Sequence, residues 1–172
     1  GLGFKDITDN FLTHLHFDHC GGGVIYGKNQ ETLEMVFSNA TYWSNKDHWD
    51  WATVPNPREK ASFLKENILP MKDSGQLEFL DSAKGEFIEG MDFITVDGHT
   101  DKQMIPKIQY KGHTIVFMAD LLPSVGHIAL PYVMGYDTRP LLTLPEKAKF
   151  LEEAAKNEYI LFLEHDAVNE CC

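Results

Sequence analysis

Residues 13–22 read THLHFDHCGG, which crowds His14, His16, Asp18 and His19 into one short stretch that runs out into glycine. Imidazoles and carboxylates are costly to bury unless each is paired or bound to a metal. Across a passage from strand to loop, side chains two apart point the same way. His14 and His16 can therefore chelate one ion while Asp18 and His19, in the turn beyond, face another. Residues 4–13 (FKDITDNFLT) end in an apolar run that reads as a strand leading into the motif, and the glycines at 21–23 let the backbone turn tightly.

A metal site needs ligands from elsewhere in the chain, and the pattern of a strand followed by His or Asp recurs. DFITVDGHT (92–100) ends near His99, and YILFLEHD (159–166) carries His165. MIPKIQYKGHTIVFMAD (104–120) reads as a hairpin turning at Lys111-Gly112 whose second strand delivers Asp120. NATYWS (39–44) and QLEFLD (76–81) read as further strands. PNPREKASFLKENILP (55–70) predicts a helix, with Pro57 in its first turn and Ala61, Leu64 and Ile68 at helical spacing. LPEKAKFLEEAAKNE (144–158) predicts another, with Pro145 near its start. Strands alternating with helices indicate an α/β layered protein with its site along one edge of the sheets. Without repeats or linkers, residues 1–172 read as one domain or part of one.

Composition narrows the function. Twenty-six acidic against 15 basic residues give a net charge of −11, which argues against a nucleic-acid partner and suits a site that takes up divalent cations. No apolar run approaches the roughly 20 residues needed to span a bilayer, so no membrane partner is expected. Cys20, Cys171 and Cys172 have no spacing that suggests a disulfide framework, and a reducing, cytoplasmic compartment is expected.

With His14, His16, Asp18 and His19 forming HxHxDH, and His99, Asp120 and His165 following in order, the sequence resembles the metallo-β-lactamase superfamily. PNPREKASFLKENILP, DLLPSVGHIALPYVMGYD, TLPEKAKFLEEA and LFLEHD look like its branch of N-acyl-homoserine lactonases and methyl parathion hydrolases. The resemblance implies an αββα sandwich that this chain holds in part, its N-terminal strands and C-terminal end lying outside residues 1–172. A second chain or a homodimer is one way of completing it. It implies that His14, His16 and His99 hold one metal, that Asp18, His19 and His165 hold the second, and that Asp120 bridges them. Imidazole and carboxylate donors suit two Zn²⁺, with Mn²⁺, Fe²⁺ or Co²⁺ as alternatives.

The expected chemistry is attack by a metal-activated hydroxide on a small-molecule lactone or ester, with Asp18 as proton acceptor. The lactonases carry a tyrosine soon after the bridging Asp, whereas Leu121, Leu122 and Pro123 follow here. His127 or Tyr132 is expected to supply the polar contact to substrate instead. Phosphotriester hydrolysis, a di-iron oxidoreductase with a flavin partner and a non-catalytic metal-binding fragment are the alternatives. Cys20 is not expected to be a ligand, and His48 and His113 read as surface residues. Trp43, Trp49, Trp51 and Phe63 read as core rather than as a wall for an acyl chain. Glu146, Glu152 and Glu153 read as a solvated helix face.

Overall fold

Two hydrophobic clusters organise the chain, one within residues 1–81 and one within 82–172, the two units into which it divides. The computed structural model describes residues 1–172. No helix is long and apolar enough to cross a membrane.

The first unit runs β1 (Asp9–Phe11), α1 (Phe17–Cys20), β2 (Val24–Tyr26), β3 (Leu33–Met35), β4 (Thr41–Asn45), α2 (Lys46–Thr53), α3 (Lys65–Asp73) and β5 (Leu77–Leu80). Strands β1, β4 and β5 form a parallel sheet, and β2 and β3 an antiparallel ribbon. Leu15, Tyr42, Trp49, Ile68 and Met71 fill the core. The glycines at 21–23 form a 3-10 turn. Glycine is needed at Gly23, where a Cβ would lie 2.8 Å from the Tyr42 ring. The Tyr42 hydroxyl donates to the Gly23 carbonyl at 2.8 Å.

Helix α3 starts at Lys65, so the helix expected over 55–70 is corrected. The Asn56 carboxamide oxygen accepts from the amides of Arg58 (2.9 Å) and Glu59 (3.2 Å), drawing residues 56–59 into a local turn that competes with helix. The sequence reading passed over α2, whose signal is a cap: the Asn45 side chain accepts from the His48 amide at 2.8 Å.

The second unit runs β6 (Glu86–Ile88), β7 (Met91–Val96), β8 (Gln103–Tyr110), β9 (His113–Phe117), α4 (Pro140–Lys156) and β10 (Ile160–Phe162). Its sheet has the order β10-β9-β8-β7-β6. Only β9 and β10 pair in parallel, so β7, β9 and β10 run in one direction and end at one sheet edge. The hairpin turns at Lys111-Gly112 as expected, both residues having positive φ (49° and 82°).

Helix α4 begins at Pro140 rather than Leu144, because proline at the first helical position forgoes an N–H that would have no partner there. Its buried stripe is Thr143, Lys147, Phe150 and Ala154. Lys147 is tolerated because its ammonium donates to the carbonyls of His127 (2.8 Å), Ala129 (3.1 Å) and Tyr132 (2.6 Å), pinning that loop to the helix.

Gly98, before His99, packs so closely on α4 that an added Cβ would lie 2.5 Å from the Thr143 amide nitrogen. Gly98→Ala is expected to lower stability in urea unfolding by about 1–3 kcal/mol, the cost of overpacking. Gly22→Ala, where nothing lies within 4 Å of the added carbon, should leave it nearly unchanged.

Candidate metal centre

The first donor set lies in residues 1–81. Past β1, the Leu12 amide still pairs with the Trp43 carbonyl (3.0 Å), and the chain then turns through His14 and His16 into α1. The peptides around Leu15, between the two histidines, are held from both sides. The Leu15 N–H donates to His48 Nε2 at 2.8 Å, and its carbonyl accepts from the Cys20 thiol at 3.3 Å. His16 caps α1, its carbonyl accepting from the amides of His19 and Cys20, both at 3.0 Å.

The imidazoles consequently cluster, with ring centroids 4.6 Å apart for His14 and His16 and 4.0 Å apart for His14 and His19. His14 and His16 are buried, and Asp18 is exposed with an oxygen 3.5 Å from His19 Nε2. Burial, then the charge of Asp18, pushes the Cys20 thiol up to about 12, so it remains a protonated donor to Leu15.

The second donor set lies in residues 82–172, at the edge where β7, β9 and β10 end. Paired residues Phe117 and Phe162 close β9 and β10, and Asp120 and His165 follow at the same offset. Asp120 is buried and divides its oxygens: Oδ2 lies 3.0 Å from His99 Nε2, and Oδ1 lies 3.2 Å from His165 Nε2. Its backbone is held by the buried Gln103, whose carboxamide oxygen, turned toward them, accepts from the amides of Asp120 (3.2 Å) and Leu121 (3.1 Å). Ala119, just before it, has a φ of 41°, a left-handed conformation uncommon outside glycine.

His99 is held by backbone and side chain alike. The Thr138 amide donates to its carbonyl at 3.1 Å, and the Asp137 carboxylate meets its Nδ1 at 3.1 Å. Thr143 donates to the other Asp137 oxygen at 2.8 Å. Glu146 is not a solvated residue, a correction to the sequence reading: its two oxygens accept from the amides of Asp97 (2.8 Å) and Gly98 (2.9 Å). Burial raises its carboxyl above the ordinary value, against those two hydrogen bonds. Glu153 likewise has partners, Lys107 at 2.8 Å and the Tyr159 hydroxyl at 2.9 Å.

His48 corrects the sequence reading further, being 1% exposed rather than at the surface, whereas His113 is exposed as expected. The Asn45 cap was the available signal that His48 lies in the first turn of a helix, from which its Nε2 accepts from the Leu15 amide. His127 is half-buried, with its Nδ1 2.8 Å from the Ser124 hydroxyl, and Tyr132 is 63% exposed. Both reach Lys147 through their carbonyls. Trp49 and Phe63 belong to the core, and the Phe63 ring packs on His16 with centroids 4.8 Å apart. Sequence reasoning missed Asp137 and Glu59, isolated acids whose partners are distant in sequence or in no motif.

Both sets consist of imidazole nitrogens and carboxylate oxygens, a donor chemistry that fits zinc and its first-row neighbours. The buried His99 and the exposed His165 turned toward a shared carboxylate, with a further carboxylate behind His99, are the arrangement of a metal-binding centre and its outer support.

Comparison with known proteins agrees with this chemistry. The profile of the metallo-beta-lactamase superfamily matches residues 1–165. No curated protein matches the chain. Among solved structures, a probable metal-dependent hydrolase from Staphylococcus aureus is 25% identical with a TM-score of 0.87, the match covering 99% of this chain and 59% of that one. AidC, a dizinc quorum-quenching lactonase in complex with a product N-hexnoyl-L-homoserine, is 25% identical with a TM-score of 0.78, covering 99% and 61%. The hydrolase AbOPH of the beta lactamase superfamily shares the fold at 24% identity and a TM-score of 0.81, covering 99% and 61%. The chain therefore spans about three fifths of the length of the structures it matches.

Two outcomes follow from the geometry. His48→Phe keeps the ring but removes the acceptor of the buried Leu15 N–H, and should cost about 1–3 kcal/mol in denaturant unfolding. The second concerns His99. Burial lowers the pKa of its imidazole, but hydrogen bonds to Asp120 and then Asp137, together with their charges, outweigh this and raise it from 6.5 to about 9. The folded state thus binds this proton more tightly than the unfolded chain. In the chelator-treated protein its stabilisation is complete below about pH 6.5 and is lost as pH rises through about 9. Urea unfolding across that window should show a fall in wild type that His99→Asn largely removes.

Proposed function

Given that the chain belongs to the metallo-β-lactamase superfamily, we propose that it is the metal-bearing part of a dinuclear zinc hydrolase that opens a lactone ring. In line with the resemblance, His14, His16 and His99 are proposed for one cation and Asp18, His19 and His165 for the second, with Asp120 shared between them. The observation that carries the reading is Asp120, which turns one oxygen to His99 and the other to His165 and so suits a carboxylate shared by two cations. Zinc held by such ligands supplies Lewis acidity toward a carbonyl oxygen and a nucleophile at neutral pH.

The chain's own groups supply the rest. Asp120 would be shared between the two cations and would screen their like charges. Asp18, exposed beside the buried imidazoles, accepts a proton as the ring opens and can return it to the leaving alkoxide. His127 and Tyr132, on the loop anchored by Lys147, are proposed contacts to the substrate's polar groups. N-acyl-homoserine lactone is the proposed substrate class. Support comes from the lactonase-like sequence stretches and from the likeness to AidC, the dizinc lactonase with its bound product.

The test uses the protein that carries this chain, with metal content measured alongside hydrolysis of N-hexanoyl-homoserine lactone and of a phosphotriester. About two zinc ions per chain are expected, with activity lost on chelation and restored by zinc. Asp120→Asn should lower kcat/KM for the lactone by about 100-fold or more, beyond the span typical of outer-shell changes. Turnover of the phosphotriester alone would replace the lactonase reading, and unchanged turnover in Asp120→Asn would remove the bridging role.

A further inference from the structure

Glu59 is an acid only 3% exposed in a chain whose other carboxylates mostly face solvent, and the proposed chemistry makes no use of it. Burial of a carboxylate demands partners. Oxygen Oε2 accepts from the Trp51 indole N–H at 2.8 Å and from the Asn56 carboxamide at 2.6 Å. Asn56 also receives the Glu59 amide at 3.2 Å through its own oxygen, so the side chain that holds the carboxylate also holds its backbone. With Oε2 occupied by two neutral donors, Oε1 lies 3.5 Å from the buried Nε2 of His16, outside hydrogen-bond geometry but within reach of charge attraction. The Phe63 ring packs on His16, restricting the imidazole's rotation.

We infer that Glu59 is a positioning residue: locked by Trp51 and Asn56, its carboxylate keeps a proton on His16 Nε2 and leaves Nδ1 as the nitrogen that meets the metal. The inference rests on the reading of His16 as a metal ligand. Asp137 provides the parallel, since it faces Nδ1 of His99 and so leaves Nε2 toward Asp120. The two acids thus select opposite nitrogens on their two rings. A carboxylate behind a ligating imidazole sets the tautomer and raises its basicity, and loss of such a partner typically costs 10–100-fold in metal affinity.

Glu59→Gln separates this role from simple packing. If the glutamine keeps its oxygen on Trp51 and Asn56, its NH₂ faces His16, which must then accept at Nε2 and carry its proton on Nδ1. Zinc competition against a chromophoric chelator should show affinity reduced about 10–100-fold, while the unfolding midpoint of the metal-free chain changes little. Long-range ¹H–¹⁵N spectra of the metal-free protein should show His16 protonated at Nε2 in wild type and at Nδ1 in Glu59→Gln. Glu59→Asp, which keeps the charge, should retain the wild-type tautomer and recover part of the affinity.

Wild-type zinc affinity in Glu59→Gln, or a wild-type His16 protonated at Nδ1, overturns the inference. The second result needs no variant to fold. A wild type that takes up no zinc overturns the metal-centre reading itself, a result distinct from zinc uptake that is indifferent to Glu59.

Discussion

A carboxylate buried as deeply as Asp120 persists only where both its oxygens face positive or donor groups, and this requirement shapes the residues around it. One oxygen meets His99 and the other His165, and His99 in turn leans on Asp137. In the metal-free chain a proton on His99 supplies the missing positive charge, which is why its imidazole titrates so far above its ordinary range. A divalent cation would replace that proton and satisfy the same carboxylates. The left-handed Ala119 and the Gln103 carboxamide on the Asp120 amide are the backbone side of this arrangement.

Placement of the donors follows from strand ends. His14 lies three residues beyond Phe11 at the end of β1, His99 three beyond Val96, Asp120 three beyond Phe117 and His165 three beyond Phe162. The equal offsets matter most in the second unit, where β7, β9 and β10 run in one direction and Phe117 pairs with Phe162. Rigid strands fix the origin of each loop, and the loop needs only a short, heavily bonded path to present its side chain. Those bonds come from groups outside the motif: His48 and Cys20 on Leu15, Glu146 on Asp97 and Gly98, Thr138 on His99.

Two buried acids, one half-buried acid and one buried lysine complete the support. Glu59 and Asp137 face imidazoles, Glu146 caps backbone amides, and Lys147 gathers three carbonyls of the 127–132 loop. Each occupies a position that a sequence pattern assigns to solvent or to an apolar stripe. Each is tolerated because geometry answers its charge with at least two partners.

The HxHxDH spacing, the later His99, Asp120 and His165, and the alternation of strands and helices were legible in the sequence, because ligand spacing and hydrophobic periodicity are local properties. So was the Lys111-Gly112 turn, since positive φ is a local demand that this pair meets. Helix α2, the late start of α3, the burial of His48 and the backbone contacts of Glu146 were not. Each depends on a competition, between the Asn56 side chain and the backbone or between hydration and a distant amide, that only the folded chain resolves. Residue types and their order thus determined which donors exist. Tertiary structure alone decided which nitrogen of a ring and which oxygen of a carboxylate each partner meets, because those choices rest on contacts between residues tens of positions apart.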